Sequence, residues 1–227
     1  TYKGMNASLG DFDRNGWLDV HVSNVHMPLQ AEGSLLWMLG PGHGGVPTFR
    51  DEATVRGALN EGRFGWGAAV GDLDLDGWLD MVQANGMVDD TLDKAGDSCP
   101  DYWYVNEKIM RAPPEVHAYA DLWGDIRGRC INPRDADRVY LNRGNREVNQ
   151  FTDAAPALGW GPDHPSRGVV LADFDADGAL DVLKTRMAAS GALYRNPLRE
   201  DGGGKNWVGL DLAGDGVTCN RDAVGTR

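Results

Sequence analysis

A nine-residue segment rich in side-chain oxygens occurs three times in this chain, at residues 11–19, 72–80 and 173–181. Each copy places Asp or Asn at positions 1, 3, 5 and 9 and glycine at position 6. Carboxylates this close repel one another, whereas Ca²⁺ takes about six to eight oxygen ligands gathered by a tight turn. The spacing therefore predicts about three bound Ca²⁺ ions. The predicted side-chain ligands are Asp11, Asp13, Asn15 and Asp19, then Asp72, Asp74, Asp76 and Asp80, then Asp173, Asp175, Asp177 and Asp181. The backbone carbonyls at position 7, those of Trp17, Trp78 and Ala179, are predicted to complete each shell.

The residues around these loops indicate strands rather than helices. An EF-hand loop ends with a bidentate Glu at position 12 and lies between two helices. Here the last acid is at position 9, and apolar residues alternate with period two from the end of the first loop onward, at Leu18, Val20 and Val22. Each loop is thus predicted to connect two strands of a hairpin. The alternative is a solvated acidic turn that binds no ion.

Composition excludes several classes of function. The net charge is −12, from 34 acidic and 22 basic residues, which argues against a nucleic-acid partner or an anionic membrane surface. The 227 residues include 41% hydrophobic ones, so a packed core is expected. No apolar run is long enough to span a bilayer, so no membrane insertion is predicted.

The loops belong to a longer repeat. A strand with Tyr or Trp (Trp37, Tyr140, Tyr194) follows each loop, and a predicted Phe-x-Asp turn (residues 49–51 and 151–153) follows the first two of these strands. Periods of this size with short strands and many glycines indicate four-stranded blades of an all-β propeller. Propellers have about four to eight blades and the sequence has three legible repeats. The chain is therefore expected to be part of a larger propeller.

The second repeat contains an insertion at about residues 88–131. Apolar residues at helical spacing, on both sides of Pro113 and Pro114, predict a small helical hairpin. Cys99 and Cys130 bracket it and are expected to form a disulfide, the alternative being two buried free thiols. The aromatic cluster at residues 102–104 either packs on the blade or forms a recognition surface. Cys219 is left without an assigned role.

Three phrases resemble FG-GAP (VCBS-type) repeats: Gly10-Asp-Phe-Asp, Gly65-Trp-Gly-Ala-Ala-Val-Gly-Asp72 and Leu171-Ala-Asp-Phe-Asp-Ala-Asp-Gly178. The resemblance implies integrin-α-like propeller blades with calcium-binding hairpin loops over residues 1–200. The tail at residues 201–227, with Asn206-Trp-Val-Gly-Leu-Asp-Leu and Asn220-Arg-Asp-Ala-Val-Gly225, resembles the start of an ASPIC/UnbV domain. Together they imply the cartilage-acidic-protein-like family of secreted proteins.

No catalytic constellation is visible. The five histidines form no metal-binding motif and are interpreted as surface or core residues with satisfied hydrogen bonds, and no nucleophile elbow occurs. The leading hypothesis is a secreted or cell-surface calcium-binding propeller that acts as a scaffold for a protein or glycan partner, since calcium and a disulfide indicate an extracellular or periplasmic location. The alternatives are a propeller-based polysaccharide lyase or hydrolase and a structural subunit of an extracellular assembly, with the insertion as its docking element.

Overall fold

The computed structural model describes residues 3–27, 30–89, 130–132, 135–161, 164–187 and 189–199, together with residues 213, 214 and 216. The fold is nearly all β and its sheets are antiparallel, as the sequence predicts. In the first sheet the strand order is β1 (Asn6–Gly10), β2 (Asp19–Ser23), β5 (Leu35–Pro41), β6 (Pro47–Asp51). In the second it is β7 (Gly65–Gly71), β8 (Asp80–Asn85), β11 (Arg138–Asn142), β12 (Phe151–Asp153). The third contains β13 (Ser166–Ala172), β14 (Asp181–Arg186) and β15 (Ala192–Tyr194).

Two small hairpins interrupt this up-and-down order at equivalent places. β3 (His26–Met27) pairs with β4 (Gln30–Ala31), and β9 (Val88–Asp89) pairs with β10 (Cys130–Ile131). Each hairpin lies between the second and third strands of its sheet. The predicted insertion is therefore an enlargement of a hairpin that the first sheet already has. Its predicted helices and the Cys99–Cys130 disulfide involve residues outside those that the structure describes.

The three sheets pack face to face, with β7 in contact with both β1 and β13. Because successive residues of a strand point to opposite faces, the strands of the second sheet contribute side chains to the junctions with both of its neighbours. One face of the second sheet (Met81, Tyr140, Phe151) joins Phe12 and Leu36 of the first sheet in one core cluster. The residues of the opposite face join the third sheet, in a cluster that contains Leu73, Val82, Val139, Ala155 and Val182.

The Phe-x-Asp segments were predicted as turns, and this prediction is wrong. Residues 49–51 lie in β6 and residues 151–153 form β12. The aspartate ends each strand: Oδ1 of Asp51 accepts hydrogen bonds from the backbone N–H groups of Leu36 (3.1 Å) and Ala53 (3.2 Å). Asp153 accepts the equivalent bonds from Val139 and Ala155. After Asp51 the chain makes a single helical turn, α1 (Ala53–Arg56). These carboxylates bind neighbouring backbone and hold the edge strand in register.

Candidate metal centre

Each nine-residue loop connects the first two strands of a sheet, as predicted. Its backbone enters the left-handed region at two positions, the fourth and the sixth. At position 4 the φ angles are 57° for Arg14, 56° for Leu75 and 60° for Ala176, and at the position-6 glycines (Gly16, Gly77, Gly178) they are 88°, 87° and 89°. Glycine adopts such angles at little cost, whereas the residue at position 4 is strained. The sequence revealed the glycine but not the strain at position 4, because three unrelated residue types occur there.

The carboxylate at position 1 organises the turn. In the first loop Asp11 accepts hydrogen bonds from the backbone N–H of Asn15 at 3.0 Å and of Gly16 at 2.8 Å. Asp72 and Asp173 make the equivalent pairs of bonds in the other two loops. Three chemically different loops therefore fold in the same way because the same carboxylate caps the same two amides.

Positions 3 and 5 tighten the turn further. Asp13 accepts a bond from the backbone N–H of Asn15 at 3.2 Å, and Asn15 Oδ1 accepts one from Trp17 at 2.8 Å. The second and third loops repeat both contacts. The side-chain oxygens therefore turn inward around the loop, which is how an oxygen cage for a hard cation is assembled.

The aspartate at position 9 has two roles, one of which the sequence did not indicate. Asp19 is fully buried; its Oδ2 accepts the N–H of Phe12 at 3.0 Å and its Oδ1 that of Leu39 at 2.7 Å. The first bond reaches position 2 of the loop and the second reaches the third strand of the sheet. Asp80 and Asp181 make the same two bonds. Each of these carboxylates thus ties its loop to the sheet, and each oxygen keeps a further lone pair for a cation.

Burial destabilises the charged form of two position-9 carboxylates, those of Asp19 and Asp80. Burial raises the pKa of Asp19 and of Asp80 to about 6, and the backbone hydrogen bonds offset only part of this effect. The acids at positions 1 and 3 add repulsion in the first loop, and Asp74 does so in the second. A bound cation would favour the ionised form of both groups.

The structure brings the predicted carboxylates together at positions 1, 3 and 9. In each loop one oxygen from each of these three residues lies within 4.8 Å of the others: Asp11, Asp13 and Asp19; Asp72, Asp74 and Asp80; Asp173, Asp175 and Asp181. These donor atoms suit Ca²⁺, whose oxygen ligands lie about 2.3–2.6 Å from the ion. At position 5, the buried Oδ2 of Asp177 accepts no hydrogen bond from the part of the chain that the structure describes. Ligation by position 5 and by the position-7 carbonyls stays a prediction.

The three loops differ in their cationic neighbours. The Arg195 guanidinium contacts Asp175 and lies 3.5 Å from Asp177, so it neutralises part of the third loop. Arg14, at position 4 of the first loop, donates to the carbonyl of Gly77 and covers the ring of Trp78 in the second. That arginine links two loops and contributes charge beside the second one. In the second loop Arg143 Nη1 lies 4.0 Å from Asp74 Oδ2. The third loop therefore has the closest contacts between an arginine and its predicted ligands.

Two asparagines that the sequence analysis did not single out connect adjacent loops. Asn142 Nδ2 donates to the carbonyls of Phe12 (3.0 Å) and Leu79 (3.1 Å), one in the first loop and one in the second. Asn196 makes the equivalent bonds to the second and third loops. The recurring Tyr-x-Asn sequence in the third strands was the available signal: its tyrosine packs in the core and its asparagine joins the loops.

His21 departs from the expectation that every histidine is hydrogen-bonded. It is fully buried between the first and second sheets, and neither ring nitrogen has a hydrogen-bond partner among the described residues. Burial lowers its pKa to about 4, with Gln83 as its polar neighbour. The imidazole is therefore neutral at pH 7 and acts as a packing residue.

Residues 11–82 match the sequence model of a family described as the FG-GAP-like repeat. The match begins at the first residue of the first loop and ends two residues after the second, so it contains two of the three loops. Comparison with curated proteins gives no match. Within the described residues, no helix has both the length and the apolar character needed to cross a membrane.

Proposed function

We propose that this chain is an extracellular or cell-surface β-scaffold that binds calcium at three hairpin loops and presents its sheets to a protein or glycan partner. The observation that carries the proposal is the convergence of three carboxylates in each loop, repeated with the same hydrogen bonds in all three. FG-GAP repeats occur in adhesion and interaction scaffolds, which supports a binding role.

Calcium has a physical role in this scaffold. The position-9 aspartate bonds each loop to the third strand of its sheet or, in the third sheet, to Asn196 just after that strand. Asparagine bonds neighbouring loops to each other. A cation that neutralises the carboxylates would therefore stabilise the junctions as well as the loops. Each occupied site adds about 1–3 kcal/mol when calcium is ten- to hundredfold above Kd.

The experiment is calcium titration of the full chain by isothermal calorimetry, with native mass spectrometry as the count of ions. We expect three bound ions, and two for the variant with Asp72→Ala and Asp74→Ala. The exposed Glu61 lies outside the loops, so Glu61→Gln is the matched control and should keep three. A chain that binds no calcium would contradict the proposal.

The proposal also covers the location of the protein and the parts of the chain outside the three sheets. We include secretion, the Cys99–Cys130 disulfide, the helical insertion as a docking element for a larger assembly, and an ASPIC/UnbV-like region from residue 201. Thiol titration of the unfolded chain, with and without reductant, tests the disulfide: one free thiol without reductant is expected. Fractionation of cells that produce the natural protein tests its location.

A further inference from the structure

The two outer faces of the three-sheet stack expose residues whose equivalents in the neighbouring sheets are buried between the sheets. In the first junction the second sheet contributes Phe151 and Tyr140, each 3% exposed. At the equivalent places of the first sheet, Phe49 is 48% and Trp37 39% exposed. The first sheet thus presents the same kind of face that the second sheet buries.

The third sheet exposes the equivalents of the residues that the first sheet contributes to the first junction. Phe12 and Leu36 of the first sheet are fully buried in the first junction. The equivalent residues of the third sheet are Phe174, at position 2 of its loop, and Leu193 in β15, which are 48% and 57% exposed. The large apolar side chains of these two faces are thus about half exposed where their equivalents are buried.

The polar positions of the two faces are also matched. Ser34 Oγ lies 3.2 Å from Gln83 Oε1 across the first junction, and Lys184 Nζ donates to Asp137 Oδ2 at 2.8 Å across the second. Strand pairing places Gly191 of the third sheet at the Ser34 and Asp137 position, and Val22 of the first sheet at the Gln83 and Lys184 position. If these faces met, neither of these two positions would bury an unpaired polar side chain.

From these correspondences we infer that the third sheet of one molecule docks on the first sheet of a second copy of this chain. The occupant of each face is the other face of a partner copy, joined by the same contacts that join sheets within the chain. When two copies do this reciprocally, the three large sheets described in each copy make six around one axis, a number within the range of about four to eight that propellers use. Two equivalent junctions then form, as a closed arrangement of heterologous contacts requires.

One difference sets the strength of this junction. Leu39 occupies the place of Asn142 and Asn196, the asparagines that bond neighbouring loops to each other. The junction between copies therefore lacks this bond. It is weaker than the junctions within the chain, and dimer formation depends on concentration.

The test is sedimentation velocity of the full chain in calcium over a wide range of concentration. The expected mass rises from the 24.6 kDa of the monomer to twice that value. Phe49→Asp and Leu193→Asp should each give a monomer at every concentration, whereas Val46→Asp, at an exposed residue outside the two faces, should leave the dimer unchanged. A mixture of the two monomeric variants should regain a 1:1 dimer, because one unaltered junction can form between them.

Thermal melts identify any variant that fails to fold. If Phe49→Asp fails to fold, Leu9→Glu replaces it, since Leu9 is an exposed residue of the same face. A mass that stays at 24.6 kDa would overturn the inference. A dimer that only one of the two faces supports would also overturn it, since that result means like-with-like pairing.

Discussion

Lys184 and Asp137 form a buried ion pair, 2.8 Å apart, that joins the third sheet to the second. Asp137 also accepts bonds from the backbone N–H of Asn85 and from Ser166 Oγ. Burial raises its pKa, and the lysine opposes that effect. At the equivalent position of the first junction the chain uses Ser34 and Gln83, which are neutral. The same position between two sheets is thus filled by an ion pair in one junction and by a neutral hydrogen-bonded pair in the other, so the stability of the two pairs can be compared by exchanging them.

Removal of the lysine alone should be costly. Lys184→Met leaves the Asp137 carboxylate buried without its cation, a change that typically costs about 3–5 kcal/mol. Urea denaturation at constant calcium measures the loss in the free energy of unfolding. The matched variant, Asp137→Ser with Lys184→Gln, copies the first junction, in which Ser34 also accepts the Asn24 N–H. It should recover most of the loss, and a double variant as unstable as Lys184→Met would contradict the interpretation.

Position 3 and position 9 of a loop should respond differently to calcium removal. Asp13→Ala removes a predicted cation ligand that makes one hydrogen bond inside the loop, so its melting temperature should fall mainly in calcium. Asp19→Ala leaves the N–H groups of Phe12 and Leu39 without their acceptor, at about 1–3 kcal/mol for each buried group. Its melting temperature should fall both in calcium and in chelator. Melts of both variants in the two buffers separate the roles, and equal losses for Asp13→Ala in both would remove it from the cage.

The raised pKa of Asp19 and Asp80, about 6 each, gives opposite pH dependence with and without calcium. Folding without metal raises these pKa values above that of an exposed aspartate, near 3.9. The folded state then binds protons more tightly than the unfolded state, so their contribution to stability is present below about pH 4 and is lost as pH rises through 6. Calcium must displace the same protons, so its affinity should fall as pH drops below 6.

Calorimetric titrations at pH 7 and pH 5.5, together with denaturation of the metal-free protein, measure both trends. Asp80→Asn removes one of the two titrating groups and should flatten each curve. Calcium affinity that is unchanged between the two pH values would contradict the prediction.

The third loop should bind calcium most weakly of the three. Arg195 contacts Asp175 and lies near Asp177, so a cation must displace the guanidinium or share the site with it. Replacement by Met keeps the length of the side chain and removes its charge. Because exposed ion pairs are worth about 1 kcal/mol or less, the gain in affinity should be about fivefold or less. Calorimetry of Arg195→Met, with Arg186→Met outside the loop as control, checks this: a decrease in affinity would contradict it.

The loops could be predicted from the sequence because their chemistry is local. Carboxylates at fixed spacing around a glycine determine the turn that contains them, whichever sheet the turn joins. The turn therefore forms between two strands in all three loops, as the spacing predicts. The contacts between sheets could not be predicted in this way. Ser34 and Asp137 occupy equivalent positions but share no chemical type, and their partners lie 49 and 47 residues away. The sequence predicts turns at the Phe-x-Asp strands because aspartate is common in turns and depleted in strands, whereas here the carboxylate accepts backbone hydrogen bonds at the end of the strand.

The pairing of Val88–Asp89 with Cys130–Ile131 has a practical consequence. The chain leaves the second sheet and returns to it through two adjacent antiparallel strands, so the segment between them imposes no span on the rest of the fold. Such a site tolerates exchange. The short connection of the β3–β4 hairpin serves the same place in the first sheet, and grafting it here would give a minimal chain. Domains whose two termini lie close together could be inserted at the same point, so this hairpin is a suitable insertion site for protein engineering.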